Sequence, residues 1–226
     1  EIEYDVQDIY SILEYITKTD RNKIYLQKDT MLLSINQEIE SDRLLDKYYK
    51  EEYPLQYITH KQYFFNEQYY VDENVLIPRQ DSEILVEKAL EYIEKENITK
   101  MIDLCTGSGA LGISIAKNAK TDMQVELIDI SQGALGVANR NIHSNGVYGK
   151  VSTLYSNLLE EKIKQINNVI NTENEEENKE ELIENTKYEL LPEDKYKLLE
   201  EEISSNNGTT AFVGDGINDA PSLARA

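Results

Sequence analysis

The feature that most restricts the fold of this chain is an alternation of apolar runs and helical segments between residues 100 and 155. The runs are short and buried in character, and the segments between them carry apolar residues at helical spacing. This alternation is typical of a parallel sheet joined by right-handed crossovers, so we predict an α/β fold. The predicted strands are Met101–Leu104, Val125–Asp129 and Val151–Tyr155, and the predicted helices are Leu111–Ala119 and Gly133–Asn145.

The part of the chain before residue 56 is predicted to be a small helical subdomain. Apolar residues recur at three- and four-residue spacing from Asp5 to about Thr17, which indicates an amphipathic helix. A second helix is predicted from about Gln37 to Glu51, and it ends before Pro54 because the residue preceding a proline is held out of the helical conformation.

A hairpin and a third helix are predicted to connect the helical subdomain to the alternating region. Residues 61–75 are rich in Tyr, Phe and Val, with Asn66-Glu67 between two aromatic runs, so we interpret residues 56–80 as a β-hairpin linker. A helix over residues 81–96 follows, with Asp81 or Ser82 as its N-cap. Its predicted buried face consists of Ile84, Leu85, Ala89, Leu90 and Ile93.

The composition excludes several classes of protein. Asp and Glu number 43 against 23 Lys and Arg, a formal net charge of −20, which disfavours direct binding to nucleic acid or to an anionic membrane. The single cysteine, Cys105, excludes an internal disulfide and a Cys-rich metal site. No apolar run is long enough to span a bilayer, and the acidic first residues do not resemble a signal peptide. We therefore expect a soluble, cytoplasmic protein.

A glycine-containing loop and an acidic residue in the alternating region suggest a nucleotide-type cofactor. The segment Cys105-Thr106-Gly107-Ser108-Gly109 lies between a predicted strand and helix, where glycines permit close backbone approach and a helix N-terminus offers free N–H groups. Asp129 ends the next strand, at the position from which an acidic side chain accepts hydrogen bonds from ribose hydroxyls. The alternative is that Asp129 is a surface residue that caps the following helix beside Ser131.

Several motifs together resemble those of the bacterial release-factor glutamine methyltransferases. They are Pro54-Leu55-Gln56-Tyr57-Ile58, Val75-Leu76-Ile77-Pro78-Arg79, Glu83, Ile102 to Gly109, and Ile128-Asp129-Ile130-Ser131, in the expected order and spacing. The resemblance covers residues 1–158. It implies a helical N-terminal subdomain, a hairpin linker and a Rossmann-like domain over residues 81–158 that uses S-adenosylmethionine as cofactor and a peptide chain release factor as partner.

The same resemblance implies a role for each of the cofactor-site residues. Residues Cys105 to Gly109 are expected to surround the methionine end of the cofactor, and Asp129 to hold its ribose. Asn157-Leu158 match the position beside the adenine, where the family usually has Asp followed by an apolar residue, so Leu158 is expected at the adenine and Asn157 is a departure.

A second departure concerns catalysis. The family holds its substrate amide with an Asn-Pro-Pro-Tyr segment after the fourth strand, and orienting the poorly nucleophilic amide is most of what such an enzyme does. This chain has four prolines, none of them adjacent, so the segment is absent from it. An acidic, Asn- and Glu-rich stretch, residues 159–186, takes its place and is predicted to be a linker. We expect the methylation activity to be impaired and assign no catalytic residue.

The last segment, residues 187–226, resembles the phosphorylation domain of metal-transporting P-type ATPases. The resemblance lies in Gly214-Asp215-Gly216-Ile217-Asn218-Asp219-Ala220-Pro221. It implies that Asp215 and Asp219 bind Mg²⁺, a hard cation that prefers oxygen ligands, and that they bind it weakly because no phosphate accompanies them. The alternative is a strand, turn and helix that only fill space. The phosphorylated Asp-Lys-Thr-Gly sequence of that family does not occur here, which excludes an ATPase cycle.

The chain therefore combines two sequences of different origin, and three functions remain open. The first is a glutamine methyltransferase with impaired catalysis. The second is a non-catalytic remnant or chimera that binds the cofactor, and the third is a Mg²⁺-dependent phosphate-handling fragment. We further predict that the strand over residues 210–214 adds to the methyltransferase sheet. His60 and His143 lack metal-ligand spacing and are interpreted as structural residues.

Overall fold

The computed structural model describes residues 5–165 and the two-residue strand 212–213. These residues divide into two compact units. The first contains Glu1–Gln62 and Tyr70–Glu73, and the second contains Tyr63–Tyr69 and Asn74–Ala226. No described helix is long and apolar enough to cross a membrane.

The first unit is helical. Its helices are α1 (Val6–Thr17), α2 (Arg21–Leu26), α3 (Ile35–Lys50) and α4 (Leu55–Thr59). The side chain of Asp5 accepts a hydrogen bond from the Gln7 N–H and caps α1, and Ser34 and Gln37 form a capping box at the start of α3. Ile12, Leu44 and Ile58 are buried together between α1, α3 and α4. The two long helices confirm the prediction, whereas α2 and α4 are too short to show a helical period in the sequence.

Strands β1 (Gln62–Phe64) and β2 (Glu67–Tyr69) form a hairpin, and all of it except Gln62 belongs to the second unit. The prediction placed the turn at Asn66-Glu67, which is wrong by one residue. The turn residues are Phe65 and Asn66, both with positive φ, 49° and 63°, as a tight two-residue turn between twisted strands requires. A positive φ is unusual for phenylalanine, and its N–H donates a 2.9 Å hydrogen bond to the Glu83 carboxylate.

A 3₁₀ turn, Gln80–Ser82, leads into α5 (Glu83–Glu96). Ser82 occupies the N-cap position of α5 but makes no capping hydrogen bond, so neither predicted cap residue caps this helix through its side chain. The predicted buried face is wrong at one position. Ile84 is 61% exposed, and Val86 is buried with Ile93 instead, so the face of α5 that packs against the core is turned relative to the predicted one.

A parallel sheet forms the centre of the second unit. Its strand order is β5-β4-β3-β6, with β3 (Lys100–Leu104), β4 (Gln124–Asp129), β5 (Val151–Tyr155) and β6 (Phe212–Val213). Helices α6 (Ala110–Asn118) and α7 (Gln132–Ser144) connect the first three strands. The predicted α/β fold is confirmed. Strand β6 pairs in parallel with β3, with Phe212 opposite Ile102 and Val213 opposite Asp103, which also confirms that the strand predicted near 210–214 joins this sheet.

One face of the sheet packs against the three helices. Met101, Val125 and Leu127 point to this face and belong to one buried cluster with residues of α5, α6 and α7. The cluster includes Tyr69 of the hairpin, whose hydroxyl hydrogen-bonds the Ser114 hydroxyl of α6 at 2.7 Å. Burial raises the pKa of the Tyr69 phenol well above its ordinary value. This core holds the carboxyl ends of β3 and β4 side by side.

Candidate cofactor-binding site

The loop after β3 turns sharply into α6 and depends on glycine at one position. Cys105, Gly107 and Gly109 all have positive φ, at 57°, 54° and 78°. A Cβ atom added to Gly109 would lie 2.9 Å from Leu127 Cδ1 and 3.0 Å from Ile113 Cδ1, so these buried side chains would have to shift to accept it. At Gly107 the same atom would meet open space, so that side of the loop is free to receive a ligand.

A buried carboxylate supports this loop from inside. Asp103 of β3 is 1% exposed, and its Oδ2 accepts hydrogen bonds from the Thr106 hydroxyl at 2.7 Å and from the Gly112 N–H at 3.1 Å. The sequence analysis did not select Asp103. The signal that could have found it is an acidic residue within an otherwise apolar, buried strand, because such a charge needs partners.

The predicted partner of the loop, Asp129, is in contact with it. Asp129 Oδ2 accepts a 3.0 Å hydrogen bond from the Gly107 N–H, and its Oδ1 accepts one of 2.8 Å from the Ser131 N–H. The Thr106 N–H also donates to the Ile128 carbonyl oxygen at 3.1 Å. Asp129 is not the N-cap of α7, since Ser131 takes that role by accepting from the Ala134 N–H. Asp129 therefore makes two backbone hydrogen bonds, one to the loop and one to Ser131 at the start of α7.

A small cleft, partly open to solvent, lies in front of the loop. The loop side is lined by four of the predicted cofactor residues, Cys105, Thr106, Gly107 and Ser108, and by the start of α6. Gly109 lies behind them at the N-terminus of α6. The opposite side was missed in the sequence analysis and consists of Phe64, Leu76, Pro78 and Ser82. Two of these, Leu76 and Pro78, belong to the Val75–Arg79 motif, which was the available signal.

Leu158, the predicted adenine neighbour, follows the end of β5. The Ser156 N–H donates to the Asp129 carbonyl oxygen at 3.1 Å, which holds this chain segment at the same edge of the sheet as the loop. Asn157 Nδ2 donates to the Glu160 carboxylate at 2.8 Å, and Leu158 has a positive φ of 52°. The role of Leu158 stays a prediction, because its backbone position alone does not define a contact.

The structure does not test the predicted Mg²⁺ site. Asp215 and Asp219 lie outside the described residues, and within the described residues no group of three or more His, Cys, Asp or Glu side chains could hold a metal ion. Both histidines have structural partners. His60 Nδ1 is 3.1 Å from the Val71 carbonyl oxygen and its ring stacks on Tyr70, while His143 Nδ1 is 2.8 Å from the Asn139 carbonyl oxygen.

The fold and the site together define a class of protein. A parallel sheet with a glycine-containing loop after one strand, and an acidic residue at the end of the next strand in contact with that loop, is the arrangement typical of Rossmann-like folds. Residues 80–190 match the family model described as the methyltransferase small domain. The fold is that of an S-adenosylmethionine-dependent methyltransferase domain, and S-adenosylmethionine is the cofactor of this class.

Relatives with curated names refine the class. The chain is 39% identical over 170 residues to the release factor glutamine methyltransferase of Clostridium acetobutylicum, covering 72% of this chain and 56% of the relative. It is 38% identical over 157 residues to the protein of the same name from Mycoplasma mycoides, covering 70% and 54%. The chain spans about half the length of these relatives. Their names support the resemblance to the release-factor glutamine methyltransferases.

Solved structures of methyltransferases are also similar to parts of the chain. One is the Pyrococcus abyssi tRNA (uracil-54, C5)-methyltransferase in complex with S-adenosyl-L-homocysteine, with a TM-score of 0.34 and 25% identity over 42% of this chain and 23% of that chain. The resemblance of residues 187–226 to P-type ATPases is not supported by these comparisons, and apart from strand β6 that segment lies outside the described residues.

Proposed function

We propose that this chain carries the cofactor-binding part of a methyltransferase that modifies the N5 amide nitrogen of a glutamine side chain on a peptide chain release factor. The observation that carries the proposal is the hydrogen bond between the Gly107 N–H and Asp129, which joins the two predicted halves of the cofactor site. The curated relatives, named release factor glutamine methyltransferase, supply the substrate class.

The residues present fit S-adenosylmethionine. The open space over Gly107 leaves room for a ligand against the loop backbone, and the first N–H groups of α6 lie directly behind it. Asp129 is only partly buried, and each of its oxygens accepts one backbone hydrogen bond, so each keeps a second lone pair for a ribose hydroxyl. When bound, the cofactor supplies an electrophilic methyl group on a sulfonium sulfur.

The far side of the cleft is suited to the approach of an acceptor side chain. Phe64, Leu76 and Pro78 present apolar surface to it, and Ser82 adds a hydroxyl at its edge. Water exclusion by these residues would favour transfer to a bound amide over loss of the methyl group to solvent. The chain contains no Asn-Pro-Pro-Tyr segment to orient the amide, and we expect transfer to be slow for that reason.

Calorimetric titration of the chain with S-adenosylhomocysteine tests cofactor binding. We expect micromolar affinity, and at least tenfold weaker binding by Asp129→Ala, which removes a charged acceptor worth about 1.5–3 kcal/mol. Asp122→Ala is the matched control, because it removes the same charge from a side chain that is 90% exposed. A folded wild-type chain that does not bind would refute the proposal.

A measurement of methyl transfer distinguishes the proposed enzyme from a second candidate, a protein that only binds the cofactor. The missing Asn-Pro-Pro-Tyr segment favours a protein that binds the cofactor without catalysis. Incubation with radiolabelled S-adenosylmethionine and a purified release factor decides between them. Label on the glutamine supports the enzyme, and binding without any label supports the second candidate.

A further inference from the structure

Asn141 is a fully buried polar side chain of α7 that reaches the cofactor loop. It is 0% exposed, and its Nδ2 donates a 2.9 Å hydrogen bond to the carbonyl oxygen of Ser108, 33 residues earlier in the chain. Ser108 itself is buried, at 4% exposure. A buried carbonyl oxygen needs a partner, and here the partner comes from a helix that is remote in sequence.

Three consecutive loop residues are each held from a different element. Thr106 is held by the Asp103 carboxylate of β3, and Gly107 by the Asp129 carboxylate of β4. Ser108 is held by Asn141 of α7. The loop conformation is therefore set from behind by side chains of the sheet and of α7, while its front lines the cleft.

The bond from Asn141 also determines the orientation of the next N–H group. The Ser108 carbonyl and the Gly109 N–H belong to one planar peptide unit and point in opposite directions. The Gly109 N–H donates to the Thr106 carbonyl oxygen at 2.9 Å, which closes the loop onto itself. If the Ser108 carbonyl lost its donor, the peptide would rotate to find another partner, and the Gly109 bond would be lost with it.

We propose that Asn141 is a positioning residue for the cofactor: by holding the Ser108 carbonyl, it keeps the loop Cys105–Gly109 in the conformation that binds S-adenosylmethionine before the cofactor arrives. This inference rests on the proposed function. It assigns to α7 a part in cofactor binding although Asn141 has no exposed surface with which to touch a ligand.

The test compares isosteric and core variants of the full chain. Asn141→Asp keeps the shape of the side chain but replaces the N–H₂ donor with an acceptor facing the Ser108 oxygen. Asn141→Ala removes the donor without introducing a charge, and it serves if the first variant does not fold. Ile142→Val is the matched control, because Ile142 is a buried neighbour on α7 whose truncation lowers stability without removing a loop hydrogen bond.

The measurements are the affinity for S-adenosylhomocysteine by calorimetry and the amide hydrogen exchange of Gly107 and Gly109 by NMR. We expect the Asn141 variants to bind about ten- to a hundredfold more weakly than wild type, as expected when a buried carbonyl is left unpaired. We also expect the two loop amides to exchange faster, whereas Ile142→Val changes neither.

Two results would overturn the inference, and they are distinguishable. If wild type binds while the Asn141 variants bind equally well, or if Ile142→Val weakens binding as much, Asn141 has no positioning role. If wild type itself does not bind, the proposed function fails and the inference fails with it.

Discussion

The N–H of Gly107 donates a 3.0 Å hydrogen bond to the carboxylate of Asp129, 22 residues further along the chain. This bond joins the loop after β3 to the end of β4, and it exists because the two strands pair in parallel register from Lys100 opposite Gln124 to Leu104 opposite Ile128. The two strands thus end at the same edge of the sheet, which brings Asp129 at the end of β4 next to the loop after β3.

Gly109→Ala is expected to destabilise the second unit and abolish cofactor binding. The new Cβ would lie 2.9 Å from Leu127 Cδ1 on a residue with φ of 78°, so we expect the free energy of unfolding to fall by about 2–4 kcal/mol. Urea unfolding and calorimetry with S-adenosylhomocysteine measure the two effects.

Gly136→Ala is the control for that change. Gly136 lies within α7, and a Cβ there meets nothing within 4 Å, so the substitution should raise the free energy of unfolding by up to about 1 kcal/mol through helix propensity. Equal behaviour of the two variants would show that the loop does not need glycine at position 109.

Tyr69→Phe is expected to change how stability depends on pH. Burial raises the pKa of the Tyr69 phenol in the folded state, whereas the unfolded value is about 10. Above about pH 10 the unfolded chain therefore loses this proton first, and the wild-type free energy of unfolding should decrease by about 1 kcal/mol per pH unit through this one group. At pH 7 the phenol is protonated in both the folded and the unfolded chain, so this loss of stability does not occur. Only the lost Ser114 hydrogen bond, about 1 kcal/mol, then separates the variant from wild type.

Urea unfolding between pH 8 and pH 11 measures the difference in slope. Tyr63→Phe is the control, because it makes the same substitution at a tyrosine that is 66% exposed. The expectation is wrong if Tyr69→Phe and Tyr63→Phe lose stability with the same slope above pH 10.

Ser34→Ala is expected to destabilise the first unit by about 1 kcal/mol, because it removes both the Ser34 hydroxyl that accepts from the Gln37 N–H and the capping box around it. Ser34→Asp keeps a capping acceptor and should retain most of that stability. Thermal unfolding followed by circular dichroism compares the two variants. A similar loss in both would mean that the cap contributes nothing at this helix end.

Local sequence signals predicted the long elements and failed where a residue's state depends on a distant partner. The turn was placed at Asn66-Glu67 because these two residues lie between two aromatic runs. The structure moves it to Phe65-Asn66, where the Glu83 carboxylate holds the N–H of Phe65. Similarly, Ile84 was assigned to the core from its spacing, but it is 61% exposed, and the neighbouring Val86 is buried in its place.

The residues of the candidate site also fall into those that the sequence predicted and those that it did not. Cys105 to Ser108 and Asp129 were predicted from the sequence, because a glycine-containing loop and an acidic strand end are local patterns. Asp103 and Asn141 were not, since their role depends on complete burial and on partners that only the folded chain brings within reach.

The sequence by itself determined the order of strands and helices, the parallel sheet and the position of the cofactor loop, because each follows from residue periodicity and from the backbone freedom of glycine. The tertiary structure alone decided which strand ends lie side by side, that β6 pairs with β3, and which buried side chains support the loop. The physical reason is that pairing and burial are set by the packing of distant segments, so the unpaired carbonyl of Ser108 acquires its donor only when α7 packs against the sheet.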